Sequence, residues 1–586
     1  MIKLSLLTVA LLAAGNSALA QPTGAGGQIR QIPPAPVQPQ AIPDIRVERA
    51  APPAPPEAAG QRIVVSSLHI TGQTRFTEAE LIAATGFRPG AEMELSGLRV
   101  LATRISDFYS RHGYFVAQAY LPTQNVSSGA VTIAVIEGHY GKVALNNQSN
   151  VSNGLANSIL AGLDAGDLVY MPPLERRLLL LSDLPGITVG STLTPGTDVG
   201  TSDLLVNLAQ GRRVTGSLEA DNAGNRYTGV YRVGGTLNFN EPLGHGDVLS
   251  LRALTAGEGL TYLRGSYQGR IQNATVGVAY EHLWYELGKQ FSPLDAHGTL
   301  GIASLYASYP VIRSYDTNLY VLGELAAKTF KDEVDATGSV SDKTARVATI
   351  GIAGDHHDRL WGGGWTSYGV NGVFGDLNIK TPAIRAIDAA TARTNGSYQV
   401  LTFQAARLQA FSGPISLYGQ ARGQLASKNL DSSEKMELGG AYGVRAYPEG
   451  EGYGDEGFIL TAEARLRLAA LSERTHGQMQ AFAFIDHGQI TINKNPWAAG
   501  DNHRSLSAAG VGLSWADTHG LLIKAAYAFK LGDERALSAP DKSGRLWGGG
   551  WTSYGVNGVF GDLNIKTPAI RAIDAATART NGSYQV

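Results

Sequence analysis

From Arg212 to Trp547 the sequence alternates with a period of two, and no other feature constrains the fold as much. Tyr231, Val233, Gly235, Leu237 and Phe239 alternate with Arg232, Gly234, Thr236, Asn238 and Asn240. Phe458, Leu460, Ala462, Ala464, Leu466 and Leu468 alternate with Ile459, Thr461, Glu463, Arg465 and Arg467. Leu521, Ile523, Ala525, Tyr527 and Phe529 alternate with residues that include Lys524 and Lys530. Successive side chains of a strand point to opposite faces, so each run is a strand with one apolar and one charged face. A soluble sandwich would turn the apolar face inward. Segments of about ten residues with charges on one side and turn residues between them fit instead a barrel with a polar lumen, and roughly sixteen such segments lie in the even-numbered range of transmembrane barrels. After the first twenty residues no stretch offers eighteen consecutive apolar residues, which excludes a spanning helix. Since lipid admits only helices and closed barrels, the barrel is left.

Composition agrees: 72 Gly, 24 Tyr and 17% charged residues depart from the soluble average toward a chain of strands. Cysteine is absent, so no disulfide or thiolate metal site can form. A net charge of −2 supplies no global field for nucleic acid.

The first twenty residues run from Lys3 through apolar Leu4 to Ala14 into Ala18-Leu19-Ala20. That order is a secretory signal, too short in its apolar core to anchor the chain, and residues 1–20 are excluded from the fold. From Gln21 to Gly60 the chain holds ten of its 25 prolines, which predicts an extended linker over 21–61.

A compact α/β unit follows, with strands at Ile63 to Thr71, Tyr114 to Leu121 and Ala130 to Ile136. Leu98, Leu101, Ile105 and Phe108 recur at helical spacing and predict a helix from Leu95 to Ser110. A second unit of similar plan has a strand near Val143, helices around Leu155–Leu163 and Leu174–Ser182, and strands near Ile187 and Leu204. Pro185-Gly186 and Pro195-Gly196 punctuate it.

The run Gly113-Tyr114-Phe115-Val116-Ala117-Gln118-Ala119-Tyr120-Leu121-Pro122, leading to Val135-Ile136-Glu137-Gly138, resembles the first periplasmic POTRA domain of two-partner-secretion transporters, the haemolysin and haemagglutinin exporters of the Omp85 superfamily. Leu174-Glu175-Arg176 through Leu184-Pro185-Gly186, then Leu193-Thr194-Pro195-Gly196 and Gly200 to Leu204, resembles their second POTRA domain. The resemblance extends almost to Trp547. It implies α+β POTRA domains in the periplasm at 62–138 and 139–211, followed by an all-β barrel in the outer membrane at 212–560.

Two further motifs are similar to those of the superfamily. Val444-Arg445-Ala446-Tyr447, preceded by Gly439-Gly440, resembles the Val-Arg-Gly-Tyr motif at the tip of a long loop folded back into the lumen. Phe484-Ile485-Asp486-His487-Gly488 resembles the matching motif on the barrel wall. Ala446 departs from the usual Gly, which puts the tightness of the tip in doubt because Ala does not share the backbone freedom of Gly. Between Gln478 and Gly488 the alternation puts Met479, Ala481, Ala483 and Ile485 toward lipid and Phe482, Phe484 and Asp486 into the lumen. Arg445 could then meet Asp486 in a charge-assisted pair that clamps the loop. Family members often begin with a pore-plugging helix. The proline content speaks against one here, with Asp44 to Ala50 as the remaining candidate.

Residues 359–400 recur without a difference as 545–586. Structural repeats diverge, so a recent duplication, recombination or assembly error at the shared Arg-Leu-Trp is expected to have replaced the native last strand. The family resemblance implies a closing strand ending in an aromatic residue, commonly Phe, whereas this chain finishes at Val586. Closure then falls to Leu546 through Phe560, with Thr552, Tyr554, Val556 and Phe560 on one face and Gly548-Gly549-Gly550 as a weakness. Residues 561–586 are a surplus duplicate of 375–400. A sequencing read through Trp547 into a different, Phe-terminated strand would establish an artefact.

Other signals lose their meaning in context. Gly452-Tyr453-Gly454-Asp455-Glu456-Gly457 matches a dinucleotide fingerprint by letter but opens a strand instead of a helix. Asp355-His356-His357-Asp358 sits beside a turn and reads as solvated rather than metal-binding. No catalytic motif occurs, and no cofactor is expected. Three functions remain: a dedicated exporter of one large partner protein, a general outer-membrane assembly factor, and a passive porin. Two POTRA units favour the exporter, since an assembly factor would carry three or more and a porin none. The expected partners are a large β-rich exoprotein, outer-membrane lipid and the barrel assembly machinery, with no nucleic acid, and the transporter is expected to be a monomer.

Overall fold

A computed structural model describes residues 24–35, 43–48, 62–517, 520–532, 534, 536 and 551–560, the last ten as backbone only. The predicted signal and residues 561–586 lie outside the described residues. The chain divides into two units, Ile42–Gly211 and the remainder.

In the first unit, β1 (Asp44–Val47) precedes the elements that the sequence predicts. Strands β2 (Ile63–Val65) and β3 (Ser67–Thr71) are followed by α1 (Glu78–Thr85), β4 (Ala91–Met93), α2 (Leu95–Arg111), β5 (Gln118–Tyr120) and β6 (Ala130–Ile136). Helix α1 begins on a capping box, in which the Thr77 hydroxyl accepts from the Glu80 N–H and the Glu80 carboxylate accepts from the Thr77 N–H. Leu98, Leu101 and Ile105 of α2 are buried against the sheet β3-β6-β5. The expected strand from Tyr114 to Leu121 shrinks to three residues, because Gly113 to Ala117 turn instead of extending. The next elements are β7 (His139–Gln148), α3 (Asn153–Leu160), α4 (Met171–Ser182), β8 (Ile187–Pro195) and β9 (Thr201–Gln210). Their sheet has the order β1-β8-β9-β7. Asp44 to Val47 is therefore not the candidate helix: it is an edge strand parallel to β8, with Asp44 opposite Gly190 and Val47 opposite Leu193. Ile45 and Val47 pack on the core of this second subunit of the fold. Alternating β-branched residues suit such an edge, and Glu48 N–H extends the pairing to Leu193 C=O at 2.8 Å.

In the second unit, sixteen antiparallel strands among the described residues close a barrel that begins at Val214–Asp221 and ends at Trp551–Phe560. Its two faces invert the arrangement of a soluble protein. Leu218, Val233 and Ile485 are 62%, 61% and 51% exposed, while Arg232, Glu219 and Glu463 are 3%, 6% and 5% exposed. Apolar groups face outward and charges inward, the pattern that lipid outside and a polar lumen impose. The inward charges are paired: Arg232 with Asp221 at 2.8 Å, Arg252 with Glu219 at 2.7 Å and Arg264 with Glu281 at 3.1 Å. No helix among the described residues is long and apolar enough to cross a membrane.

The closing strand lies within the span the sequence assigned, and it pairs on both sides. Ala220 is opposite Val556 and Ile523 is opposite the same residue. Directly opposed antiparallel residues have Cα atoms about 4.5–5.5 Å apart, within disulfide range. A chain carrying Ala220→Cys and Val556→Cys is expected to form an internal disulfide on oxidation, read as a mobility shift on a gel. If only a pair displaced in register were to cross-link, another strand arrangement would close the barrel.

Candidate functional site in the barrel lumen

Between the strands Ile415–Ala426 and Glu456–Arg467 the chain leaves the wall for a long loop. The loop doubles back on itself: Met436–Glu437 pairs with Tyr453–Gly454, and Gly439 bridges to Val444. Its tip is the turn Val444 to Tyr447, closed by the Tyr447 N–H on the Val444 carbonyl at 3.1 Å. Neither Arg445 nor Ala446 has a positive φ, whereas Gly440 does. The strain expected from alanine at the tip is therefore absent, because the left-handed position falls on Gly440 and a turn of this kind accepts any residue at its centre.

The turn carries Arg445 into a fixed set of partners. Arg445 Nε and Nη2 each lie 2.7 Å from one oxygen of Asp486, and Nη1 lies 2.6 Å from Glu463 Oε1. The Arg445 N–H also reaches Asp486 Oδ2 at 3.3 Å. The guanidinium Cζ stands 3.5 Å from the centroid of the Phe484 ring. Asp486 accepts from the hydroxyl of Thr461, its direct neighbour across the sheet, at 3.0 Å. Glu463 accepts from Arg465 Nη2 at 2.8 Å, and Arg465 in turn lies over the Tyr418 ring. Two guanidinium groups face two carboxylates here. A forked, charge-assisted pair of this geometry fixes direction as well as distance.

Packing seats the same loop. Leu438, Val444, Ala446 and Tyr447 are buried against Ile459, Phe482, Phe484, Ile490 and Leu506 of the wall. Gly488 leaves room for Leu438, whose methyl would stand 2.6 Å from a Cβ there. Phe482 and Phe484 lie directly opposite Gly512 and Gly510 on the next strand, and their rings occupy the space that side chains at those glycines would need.

A short helix, Ala25–Arg30, also belongs to this unit, within the segment the sequence assigned to linker. Its Ala25 N–H donates to Asp332 at 2.7 Å. Arg232 and Arg252 donate to the Gln31 and Pro33 carbonyls at 2.8 and 2.7 Å, and Gln31 Nε2 donates to the Tyr453 hydroxyl at 2.6 Å. Gly26 is pressed against Ser432 and Ser433 of the long loop. The candidate helix at Asp44 to Ala50 is thus misplaced: the helix of this segment is Ala25–Arg30, which lies between Pro22 and Pro33 and is held by residues of the wall and the long loop.

The structure brings Val444, Arg445, Ala446 and Tyr447 to Phe484, Asp486 and Gly488. The other sequence-predicted residues belong to the Ile42–Gly211 unit. Leu184 is buried in its core, and Pro185-Gly186 makes the turn into β8, where Gly186 C=O accepts from Gly211 at 2.7 Å. The Pro122 carbonyl receives Gln124 Nε2 at 3.3 Å, at the exit from β5. Glu137 is 3% exposed and accepts from Thr74 N–H, Arg75 N–H and the Tyr109 hydroxyl at 2.7, 2.9 and 2.8 Å. Sequence reasoning missed Thr461, Arg465 and Glu463 as partners of the clamp. The signal for Glu463 existed, since it lies on the charged face of its strand; the glycine seats at Gly510 and Gly512 left no signal.

Burial pushes the Glu137 carboxyl up, but the hydrogen bonds from Thr74, Arg75 and Tyr109 together outweigh it and hold its pKa below the ordinary value. A depressed carboxylate stabilises the fold above the unfolded pKa of about 4.3, and that contribution is lost as pH falls through the folded value. Glu137→Gln is expected to cost about 1–3 kcal/mol at neutral pH by leaving buried donors short of an acceptor. Thermal unfolding of the two chains should show that difference shrinking below about pH 4; a gap that stayed constant with pH would mean the charge on Glu137 is immaterial.

Comparison with known proteins gives a consistent result. Residues 200–515 match the model of the haemolysin secretion/activation proteins ShlB/FhaC/HecB, and residues 63–138 match the ShlB-type POTRA domain. The heme/hemopexin transporter protein HuxB of Haemophilus influenzae strain 86-028NP is 29% identical over 446 residues, 75% of this chain and 78% of that protein. The outer membrane transporter CdiB of Escherichia coli is 25% identical over 500 residues, 81% of each chain. The solved structure of Escherichia coli CdiB superposes with a TM-score of 0.63 at 22% identity, covering 87% of this chain and 94% of that one. BamA of Haemophilus ducreyi shares the fold at a TM-score of 0.52 and 13% identity, covering 85% of this chain and all of that one.

Proposed function

We propose that this chain, which belongs to the haemolysin secretion/activation protein family and is an outer-membrane transporter, secretes one large β-rich partner protein that its POTRA domains capture unfolded in the periplasm. The observation that carries this reading is the clamp of Arg445 on Asp486 and Glu463. A passive pore has no use for a loop pinned across its lumen by buried ion pairs, whereas a gated conduit does. The helix Ala25–Arg30 lies against the same loop, so both must shift before a polypeptide can pass. Lipid surrounds the barrel, the barrel assembly machinery inserts it, and it acts as a monomer.

Capture follows from the sheet edges of the POTRA domains. An extended client can add to an edge through main-chain hydrogen bonds without a fixed side-chain sequence. The β8 edge already holds β1, which supports the view that this edge accepts an extended segment. Two POTRA units distinguish the exporter from an assembly factor, which would insert other barrels. Proteoliposomes separate the two readings: protected client inside the pore's far compartment supports secretion, and client barrels lodged in the bilayer support insertion. Transport is expected without ATP, since client folding outside can supply the drive; a strict ATP requirement would end that part of the reading.

Removing one partner of a buried pair strands the other charge and costs about 3–5 kcal/mol. Asp486→Arg is accordingly expected to release the loop and cut secretion by at least tenfold, on the order of the 1.4 kcal/mol that a factor of ten represents. The variant barrel should still insert and migrate as a folded band before heating. Unchanged secretion would remove the clamp from the mechanism.

A further inference from the structure

The stretch Gly113 to Ala117 makes two turns before β5 and joins two layers: Ala117 is buried in the core of the first domain and Tyr114 packs on Phe76 and Tyr109 there, while Gly113 to Val116 also reach the sheet-and-helix layer that starts at His139. The Gly113 carbonyl accepts from Met171 N–H at 3.0 Å. The Gly138 carbonyl accepts from Val169 N–H at 3.0 Å, and His139 N–H donates to Gly200 C=O at 2.9 Å. Tyr114 stacks on Tyr170 with centroids 4.9 Å apart and planes 26° apart. Phe115 and Val116 pack on the buried cluster that includes Tyr140, Val169 and Leu174.

Two glycines make this approach feasible. Gly113 has φ +91°, and a Cβ there would meet Tyr170 Cε2 at 2.8 Å. Gly138 has φ +81°, and a Cβ there would meet Val116 Cγ2 at 2.5 Å. Both the left-handed backbone and the lack of space call for glycine. The covalent connection is as short as the contacts are close: β6 ends at Ile136 and β7 begins at His139, with only Glu137 and Gly138 between them. Glu137 is tied by Thr74, Arg75 and Tyr109 to the first domain, while Gly138 is tied by Val169 to the second. Pro172 and Pro173 at the start of α4 stiffen the receiving side next to Tyr170. A flexible linker shows none of these features.

We infer that the Gly-Tyr-Phe-Val and Glu-Gly motifs are the two halves of a fixed joint, and that the POTRA pair moves as one arm. Gly113, Tyr114, Glu137, Gly138 and Tyr170 are positioning residues. They set the angle at which a captured strand is presented, and they touch no client themselves. The joint is independent of the client reading, on which only its effect on secretion rests.

The chain contains no cysteine, so introduced pairs are unambiguous. Spin labels at the exposed positions Thr103→Cys and Asn157→Cys of the full-length protein in nanodiscs are expected to give one narrow distance distribution by pulsed electron resonance. Gly113→Val and Gly138→Val should each broaden it. A broad distribution without those substitutions would overturn the joint whatever the client proves to be. For function, Tyr114→Cys with Tyr170→Cys removes the stack and is expected to lower secretion roughly two- to tenfold, the worth of one aromatic pair. Bridging the two cysteines with a short bismaleimide should restore secretion while the barrel stays folded. If the bridged protein secretes less than the unbridged one, the joint is a hinge and the inference is wrong.

Discussion

Hydrocarbon offers no partner to a backbone N–H or C=O, so every spanning segment must be hydrogen-bonded to another along its whole length. From that requirement follow the closure of the barrel between Val214–Asp221 and Trp551–Phe560, the outward Leu218, Val233 and Ile485, and an interior in which charges collect. An interior of that width is a hole in a permeability barrier unless something fills it. In this chain the filling comes from two places distant in sequence: the helix Ala25–Arg30 and the loop that carries Arg445. Each is held by side chains of the wall, and the two touch through Gly26 and Ser432-Ser433.

The chemistry of the clamp suits a latch better than a brace. Burying a guanidinium between two carboxylates returns little net stability, because desolvation consumes most of the attraction, yet separating the partners is expensive. Such a contact is either made or broken. Phe484 beneath the guanidinium and Leu438 over Gly488 add shape to charge, so the loop has one seat instead of a range of them. Bistable contacts of this type convert a local push into a displacement of a whole segment. A polypeptide entering the lumen would need to satisfy Asp486 and Glu463, or carry the loop away whole.

Much of this was legible before any coordinates, and the limits of legibility have physical causes. Period two is a property of the strand itself, so the inward direction of Phe482, Phe484 and Asp486 can be read from the chain, and in the structure Asp486 is wholly buried. Helix α2 announces itself through Leu98, Leu101 and Ile105 because an amphipathic helix writes its contacts at regular spacing. The helix Ala25–Arg30 writes nothing: Ala-Gly-Gly-Gln-Ile-Arg has poor intrinsic helicity and is stabilised by tertiary partners, among them Asp332, Arg232, Arg252 and Tyr453. Asp44 to Val47 is opaque for the same reason, since an edge strand of four residues is defined by the sheet it joins. Tyr114 to Ala117 misleads more actively. Its aromatic and β-branched residues have strand propensity, but Tyr114 is taken by Phe76, Tyr109 and Tyr170, and Phe115 and Val116 by the core around Leu174.

The duplicated segment tests how much information a barrel strand contains. Trp365 to Phe374 belongs to the ninth barrel strand, and its identical copy Trp551 to Phe560 is the sixteenth. Neighbouring strands are antiparallel, so an odd and an even strand cross in opposite directions, and one sequence serves both. Helices could not be reversed in this way, because their caps and dipoles have polarity. Alternation with a period of two reads the same from either end. Val370 is exposed to the outside in the first copy, and in the second Val556 takes its place opposite Ile523, which is likewise exposed. What a strand cannot retain on reversal is the position of its glycines and aromatics relative to the two rims. Phe374 lies inside the ninth strand opposite Gln399, five residues before its end at Ile379, whereas Phe560 ends the sixteenth opposite Gly216 near the start of the first. Closure therefore depends on pattern, while the strength of the seam depends on sequence, and the two have been separated in this chain by the duplication.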